Sequence, residues 1–172
     1  MMVKVLWNPW RMEHVTGAAP DPGGCLFDPP GRGSWDRKQL LLYRDRLVLV
    51  LLNRYPYANG HLLLAPIRHV GELSALGPQE NLALMTMLQH CSRILSDRLR
   101  PDGFNIGINL GRAAGAGIDD HLHIHVVPRW EGDHNFMTVT AEIRTIPQHI
   151  EATYAMLLPD FQLLAPPEEK NE

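Results

Sequence analysis

Cysteine, long apolar runs and excess positive charge are all scarce in this sequence. The chain has only two cysteines among 172 residues, so a disulfide framework of the kind found in small secreted proteins is not expected. No apolar stretch is long enough to span a bilayer, and the first residues lack the apolar core and cleavage site of a secretory signal. We therefore expect a cytoplasmic protein that has no membrane partner.

The charge balance narrows the choice of ligand. A formal net charge of -3 provides no basic surface for a phosphodiester backbone, so no nucleic-acid partner is expected. A small anion is still allowed, because local dipoles and a few cations can hold it. Hydrophobic residues make up 45% of the chain and charged residues 20%, as in a globular protein. We predict one domain over residues 1–165, containing a Gly/Pro-rich loop at 16–36, and a disordered acidic tail at 166–172.

The hydrophobic periodicity predicts an α+β fold. Short alternating runs predict strands at 39–43, 47–53, 61–65, 103–110 and from His121 onward, and a further strand at 136–140. A helix is predicted from Pro78 to about Leu99, because proline favours the first turn and apolar residues recur at intervals of three and four. A second helix is predicted from Pro147 to about Leu158. The order indicates an antiparallel sheet with one long inserted helix and a C-terminal helix.

Three histidines at two-residue spacing are the most informative feature. His121, His123 and His125 alternate with aliphatic residues, so on a strand the three imidazoles share one face while the aliphatic side chains enter the core. Three aligned imidazoles suit a metal, or a reaction in which one ring is the nucleophile and its neighbours position it. The residues alone leave both interpretations open.

A glycine-rich loop precedes the histidines. Residues 111–117 read GRAAGAG, and side chains this small let backbone N–H groups approach an anion closely. The loop ends four residues before His121, so a phosphate bound there would lie beside the imidazoles. Gly115 and Gly117 are the candidate contacts in this phosphoryl site.

Several motifs resemble the histidine triad family of nucleotidyl hydrolases and transferases. They read LNRYPYANGHL at 52–62, PIRHV at 66–70 and HLHIHVVPRW at 121–130. LWNPWRM at 6–12 and GDHNFM at 132–137 are similar to the branch related to diadenosine tetraphosphate phosphorylases. The resemblance implies cleavage of a nucleoside polyphosphate or dinucleotide at the α-phosphate through a covalent nucleotidyl-histidine, which water or phosphate then resolves.

The resemblance also implies roles for individual residues. His123 corresponds to the nucleophile, His121 and His125 to the triad members that support it, and His61 to a fourth supporting histidine. Leu51 corresponds to an apolar contact with the base, Asn53 to the residue that holds the ribose hydroxyls, and Asn109 to an asparagine beside the nucleotide. The residues alone leave other roles open. His61 could be a hydrogen-bonded histidine at the edge of a strand, and asparagines such as Asn53 and Asn109 are typical of turns. Gly117 departs from the serine or threonine of many relatives, so it offers the phosphate only its N–H.

A second departure concerns zinc. Many relatives carry a Cys-x-x-Cys pair that binds structural zinc together with two histidines, and here that pair is Cys25 and Asp28. With His69 and His121 these residues still form a four-ligand set, but one thiolate is lost. From the sequence we favour a chain without zinc, with the four residues as a vestigial site. No cofactor is expected for catalysis.

Two other classes of function stay open at this stage. One is a nucleotide-binding module with little or no turnover, which the departure at Gly117 makes plausible. The other is a metalloenzyme that uses all three histidines as ligands, although no clear carboxylate base accompanies them. Neither the substrate and its base nor the choice between water and phosphate follows from the sequence. The resemblance further implies a homodimer through the long helix and strand 103–110, with Met85, Met87 and Leu99 as apolar surface.

Overall fold

A computed structural model describes residues 25–28, 34–133 and 149–164 of the chain. Most of the Gly/Pro-rich loop predicted at 16–36 lies outside the described residues. So do the strand predicted at 136–140, the predicted beginning of the second helix at Pro147, and the tail predicted at 166–172.

One antiparallel sheet organises the described residues. Its strands are β1 (Leu41–Arg44), β2 (Val48–Leu52), β3 (Leu62–Pro66), β4 (Gly103–Ile108) and β5 (Ile124–Arg129), and the α-helices are α1 (Ser34–Lys38), α2 (Pro78–Leu99) and α3 (Ile150–Gln162). The strand order is β1-β2-β3-β5-β4, and every neighbouring pair is antiparallel. The predicted α+β class, with its long inserted helix and C-terminal helix, is confirmed.

The two faces of the sheet have different coverings. Residues at alternate positions enter the core shared with α2 and α3; they include Val48, Val50, Leu52, Leu62, Leu64, Ile124 and Val126. The opposite face carries Leu49, Leu51, Leu63 and Ala65, which pack beneath Phe27. Because side chains alternate along a strand, this second face also receives His61, His123 and His125. The site is therefore on the side of the sheet away from α2.

The histidine strand begins later than the alternation predicts. Ladder pairing starts at Ile124, whereas the strand was predicted from His121. Pro66 ends the neighbouring strand β3, and proline has no N–H with which to extend the ladder. The Leu122 N–H instead donates to the Val70 carbonyl at 2.7 Å. Leu122 is nevertheless buried in the core, so the predicted alternation of faces holds.

Helix α2 has the bounds that the sequence predicts. Pro78 occupies its first turn, and the Glu80 carboxylate accepts a hydrogen bond from the Gly77 N–H at 2.8 Å. Its buried stripe consists of Leu84, Met87, Cys91, Ile94 and Leu95. The prediction that Met87 supplies exposed surface is wrong, because this side chain is 5% exposed and belongs to the core. With 3.6 residues per turn, positions three apart share a face of the helix, so Met87 is buried together with Leu84.

Helix α3 packs against β1 and α2. It follows the N-cap residue His149, extends from Ile150 to Gln162, and contains Pro159 in its final turns. The Tyr154 hydroxyl donates to the Leu41 carbonyl at 2.9 Å, and Arg98 on α2 forms two hydrogen bonds to Asp160. Within the described ranges, no helix is both long and apolar enough to cross a membrane.

Candidate active site

His123 has one ring nitrogen bound and the other available. Its Nδ1 lies 2.9 Å from the His121 carbonyl oxygen. A carbonyl can only accept, so Nδ1 of the neutral ring carries the proton and Nε2 keeps a lone pair. Burial lowers the pKa of His123 below its usual value, although the bond to the carbonyl acts in the opposite sense. The neutral, nucleophilic form is therefore favoured at neutral pH.

The tautomer of His61 follows from two donors. Its Nδ1 accepts from the Tyr57 backbone N–H at 3.0 Å and lies 3.2 Å from Asn53 Nδ2. The orientation of the Asn53 amide is assigned by its Oδ1, which accepts from the Tyr55 N–H at 3.0 Å. Because both partners of Nδ1 are donors, the ring proton of neutral His61 is on Nε2.

The tautomer of His61 determines that of His125. His61 Nε2 lies 3.0 Å from His125 Nδ1, so His61 donates and His125 Nδ1 accepts. Neutral His125 consequently carries its proton on Nε2. The rings of His123 and His125 have their centroids 5.0 Å apart at 66° to one another. Neighbouring triad members thus have opposite tautomers, one with a lone pair on Nε2 and the other with a proton there.

The ring of His121 is turned toward a different cluster. It is fully buried, and its Nε2 donates to the Pro66 carbonyl at 2.9 Å. Its Nδ1 lies 3.3 Å from Cys25 Sγ and 3.3 Å from Asp28 Oδ1. Both ring nitrogens are therefore directed away from His123. The structural support that His121 provides to His123 comes from its backbone carbonyl.

The second cluster brings the four predicted metal ligands together. One ligand atom from each of Cys25, Asp28, His69 and His121 lies within 4.8 Å of the others. Tetrahedral zinc at its usual bond lengths requires donor separations of about 3.3–3.8 Å, and the two contacts of His121 Nδ1 already match. His69 Nδ1 and Asp28 Oδ2 are closer, at 2.6 Å. A thiol, two imidazoles and a carboxylate are donors that zinc accepts, so the set fits the metal.

Two features of this cluster favour a cation. The hydrogen bond to Pro66 fixes the His121 proton on Nε2, which leaves an Nδ1 lone pair facing the Asp28 carboxylate. Burial is the main cause that lowers the pKa of His121 and so disfavours protonation of that lone pair. The His121 Nδ1 lone pair and the Asp28 carboxylate are both acceptors, and a cation shared between them would satisfy both. Orientation of a ligand histidine through its other nitrogen is also the usual arrangement at metal sites.

The residues assigned to the nucleotide have different surroundings. Asn53 is half-buried and contacts His61, as described above. Leu51 is only 1% exposed because Phe27 covers it. The Phe27 ring also lies 4.9 Å from that of His123, centroid to centroid. The sequence analysis missed this aromatic neighbour of the nucleophile, and its position between Cys25 and Asp28 is the only signal in the sequence that could have indicated it.

The glycine loop is exposed and partly closed on itself. Arg112–Ala114 forms one turn of 3-10 helix, and Gly115 has a φ of 86°, a conformation that favours glycine. The N–H groups of Ala114, Gly115 and Ala116 bond to carbonyls within the loop. Gly117 follows the residues that make these bonds and is exposed. Asn109 directly follows β4, at the beginning of the loop, and is half-buried. Arg112 Nε donates to Asp119 at 2.8 Å across the loop.

Known proteins resemble this chain in sequence and in fold. The family model of the HIT domain matches residues 36–132. An AP-4-A phosphorylase from Mycobacterium tuberculosis is 38% identical over 164 residues, which cover 91% of this chain and 83% of that protein. The asymmetrical bis(5'-nucleosyl)-tetraphosphatase of Schizosaccharomyces pombe is 32% identical over 93 residues, covering 54% of this chain and 50% of that protein. A crystal structure described as a Zn-bound histidine triad family protein from Mycobacterium smegmatis has a TM-score of 0.59 and 30% identity, and covers 73% of this chain and 86% of that one.

Proposed function

This chain belongs to the HIT domain family, and on that premise we propose that it is an enzyme that cleaves a nucleoside polyphosphate or dinucleotide at the α-phosphate. The proposed substrate is of the diadenosine tetraphosphate type, in keeping with the names of the M. tuberculosis and S. pombe relatives. The reaction proceeds through a covalent nucleotidyl-His123, and water or inorganic phosphate then releases the nucleotide.

One observation carries the proposal: the hydrogen bond of His123 Nδ1 to the His121 carbonyl. It leaves the lone pair of His123 on Nε2 and holds the ring in one orientation. Nε2 attacks the α-phosphorus, a P–N bond forms, and the P–O bond to the remaining polyphosphate breaks. The retained Nδ1–H stabilises the positive charge that develops on the ring through its bond to the carbonyl.

His125 is the proposed hydrogen-bond donor to the leaving group, which departs as a polyphosphate anion and takes no proton from the neutral ring. Its Nε2–H is set by the bond that Nδ1 accepts from His61, so it presents a hydrogen to the bridging oxygen as that oxygen becomes negative. This hydrogen bond stabilises the negative charge that develops in the transition state. His61 is a supporting residue, since it acts on the reaction through the orientation of His125.

The second half-reaction releases the nucleotide from His123. Water or phosphate attacks the phosphorus of nucleotidyl-His123, the P–N bond breaks with return of its electron pair to His123 Nε2, and the proton of the attacking oxygen passes to solvent. Hydrolysis of diadenosine tetraphosphate by this route yields AMP and ATP, whereas phosphorolysis yields ADP and ATP. Gly117 is the proposed contact of the anionic acceptor and the α-phosphate, with Asn109 beside it. Gly115 was expected to share this role, but its N–H is bonded to the Arg112 carbonyl at 2.9 Å, so we propose that it shapes the loop instead.

The nucleoside part of the substrate is proposed to bind beside Phe27. The half-buried Asn53 lies on the same face as His61 and is the proposed contact of the ribose hydroxyls. Leu51 lies in the apolar cluster beneath Phe27, and Phe27 is itself fully buried, so we propose that the base reaches Leu51 only if the Phe27 ring moves aside.

We also propose that Cys25, Asp28, His69 and His121 bind a structural zinc ion. The sequence favoured a vestigial set; the convergence of the four donors and the fixed proton on His121 Nε2 support binding. When bound, zinc joins the N-terminal loop to the histidine run and stabilises that contact. Because His121 precedes the nucleophile by two residues, the same ligand set holds the carbonyl that orients His123.

The assembly is proposed to be a cytoplasmic homodimer. Strand β4 lies at one edge of the sheet, and Ile106 on it is 47% exposed. On α2, Leu82 and Met85 are 70% and 56% exposed. An isologous contact through this edge and helix would cover apolar side chains that otherwise face water. Sedimentation at micromolar concentration tests it, and a species of 19.4 kDa alone would reject it.

Product analysis with diadenosine tetraphosphate tests the proposed reaction. The purified chain is incubated with the dinucleotide in the presence or absence of radiolabelled inorganic phosphate, and the nucleotides are separated. ATP together with AMP indicates attack by water, and ATP together with labelled ADP indicates attack by phosphate. Binding of the dinucleotide without either product would reject the enzyme and leave a nucleotide-binding module. His90→Ala, a change at a half-buried position on α2, on the other side of the sheet from the site, is the activity control.

A further inference from the structure

Helix α3 is connected to the turn that precedes His61. Thr153 is 1% exposed, and its hydroxyl donates to Asn59 Oδ1 at 2.8 Å. The His149 carbonyl on its own helix is 3.5 Å from the same hydroxyl. A hydroxyl has a single proton, and the shorter distance gives that proton to Asn59. The bond joins residues that are 94 positions apart in the sequence.

The turn at 56–60 controls the ring of His61. Its Tyr57 N–H is the backbone donor that fixes the tautomer of His61, and its Ala58 carbonyl accepts from the His61 N–H at 3.3 Å. The Tyr57 ring stacks on the His61 ring with centroids 4.8 Å apart and planes at 26°. A displacement of this turn would therefore move both the ring of His61 and the donor that sets its proton.

Two helices support the turn from different sides. Gly60 lies so close to α2 that an added Cβ would be 2.3 Å from Leu99 Cδ1. This contact limits movement of the turn toward α2, and it is apolar, so it does not fix the orientation of the peptide groups. The hydrogen bond from Thr153 to the Asn59 side chain is directional, so it can fix the orientation of the turn.

We propose that Thr153 is a positioning residue for the reaction: through Asn59 it holds the turn whose Tyr57 N–H sets the proton on His61 and hence on His125. The contacts form one continuous chain from α3 to the triad, with heavy-atom distances of 2.8 Å at Thr153, 3.0 Å at Tyr57 and 3.0 Å at His125. The kinetic consequence rests on the proposed function, because His125 is the hydrogen-bond donor to the leaving group there. The structural consequence, the tautomer of His61, does not.

The test compares Thr153→Val with Thr153→Ser. Valine keeps the shape of threonine and removes the hydroxyl, whereas serine keeps the hydroxyl. We expect Thr153→Val to lower kcat about threefold to tenfold with little change in KM, since small misplacements of catalytic groups are costly, and Thr153→Ser to recover most of it. In the side-chain ¹⁵N NMR spectrum, His61 should show a protonated Nε2 in the native chain and a mixture of tautomers or protonation states in Thr153→Val.

Tyr154→Phe is the matched control. It removes the hydroxyl that ties the next residue of α3 to Leu41 on β1, two strands across the sheet from β3, which His61 precedes. We expect it to lower stability without changing kcat or the His61 spectrum. Equal loss of kcat in Thr153→Val and Tyr154→Phe would overturn the proposal, and so would a native His61 spectrum in Thr153→Val. If the native chain has no turnover, the proposed function fails, while the NMR comparison still decides the role of Thr153.

Discussion

His61 Nε2 lies 3.0 Å from His125 Nδ1, and the Tyr57 backbone N–H determines which of the two rings donates. A backbone amide cannot change from donor to acceptor, so the direction of the whole chain of hydrogen bonds is fixed at its beginning. The outcome is a proton on His125 Nε2 and a lone pair on His123 Nε2. The same three-histidine run thereby supplies a hydrogen-bond donor, His125, and a nucleophile, His123, on neighbouring positions of one face.

Removal of His125 should affect poor leaving groups most. If the His125 Nε2–H stabilises the departing oxygen through a hydrogen bond, His125→Ala will slow an adenylate phenyl ester more than its p-nitrophenyl analogue, whose leaving oxygen bears less negative charge. Removal of one such donor costs about 100-fold to 1,000-fold, which sets the scale of the loss for the phenyl ester. The measurement is kcat/KM for the two esters. An equal loss for both would mean that His125 has another role.

Zinc should bind to the native chain and bind more tightly after Asp28→Cys. A second thiolate adds the softer donor that structural zinc sites prefer. Elemental analysis of protein purified without a metal-affinity tag should give about one zinc per chain, and a chelator should lower the Tm because metal binding is coupled to folding. Asp28→Ala should lose the metal, whereas Asp160→Asn, which removes a carboxylate from the surface pair with Arg98, should retain it. Metal-free native protein with an unchanged Tm would contradict the proposed site.

Gly60→Ala should destabilise the fold. Gly60 has a φ of 74°, and an added Cβ would meet Leu99 Cδ1 at 2.3 Å. Left-handed backbone and overpacking each cost about 1–3 kcal/mol, so we expect the free energy of unfolding to fall by at least about 1 kcal/mol in urea titrations. Gly103→Ala is the control, because nothing lies within 4 Å of its added Cβ and its φ is not positive. Equal free energies of unfolding for the two variants would contradict this prediction and would mean that the Leu99 side chain moves away from the added methyl group.

The sequence was most informative where one periodic signal decides the outcome. Proline at the first turn and the apolar repeat predicted α2 with its bounds, and strict alternation predicted that His123 and His125 lie opposite the helices. Motif order led to the family. These features are local, so neighbouring residues in the sequence contain the information.

The remainder of the site depends on contacts between distant segments. Alternation places an imidazole on a face, but it does not say which ring nitrogen carries the proton, because that is set by Tyr57, Asn53 and the His121 carbonyl. It also does not predict that the ring of His121 turns toward Cys25 and Asp28. The contact of Phe27 with His123 and the contact of Thr153 with Asn59 could not be predicted from the sequence for the same reason: each joins residues that are far apart in the chain.

The covalent intermediate on His123 is the central claim, and rapid-quench labelling tests it most directly. The native chain is mixed with diadenosine tetraphosphate labelled at the α-phosphate, quenched in alkali within one turnover, digested and mapped by mass spectrometry. We predict an adenylyl group on His123, formed and lost at rates that account for turnover. His123→Ala should carry no label and have no turnover, yet bind the dinucleotide within about tenfold of the native affinity, since the nucleophile acts mainly in the chemical step. Turnover without labelled His123 in the native chain, or appreciable turnover by His123→Ala, would contradict the mechanism.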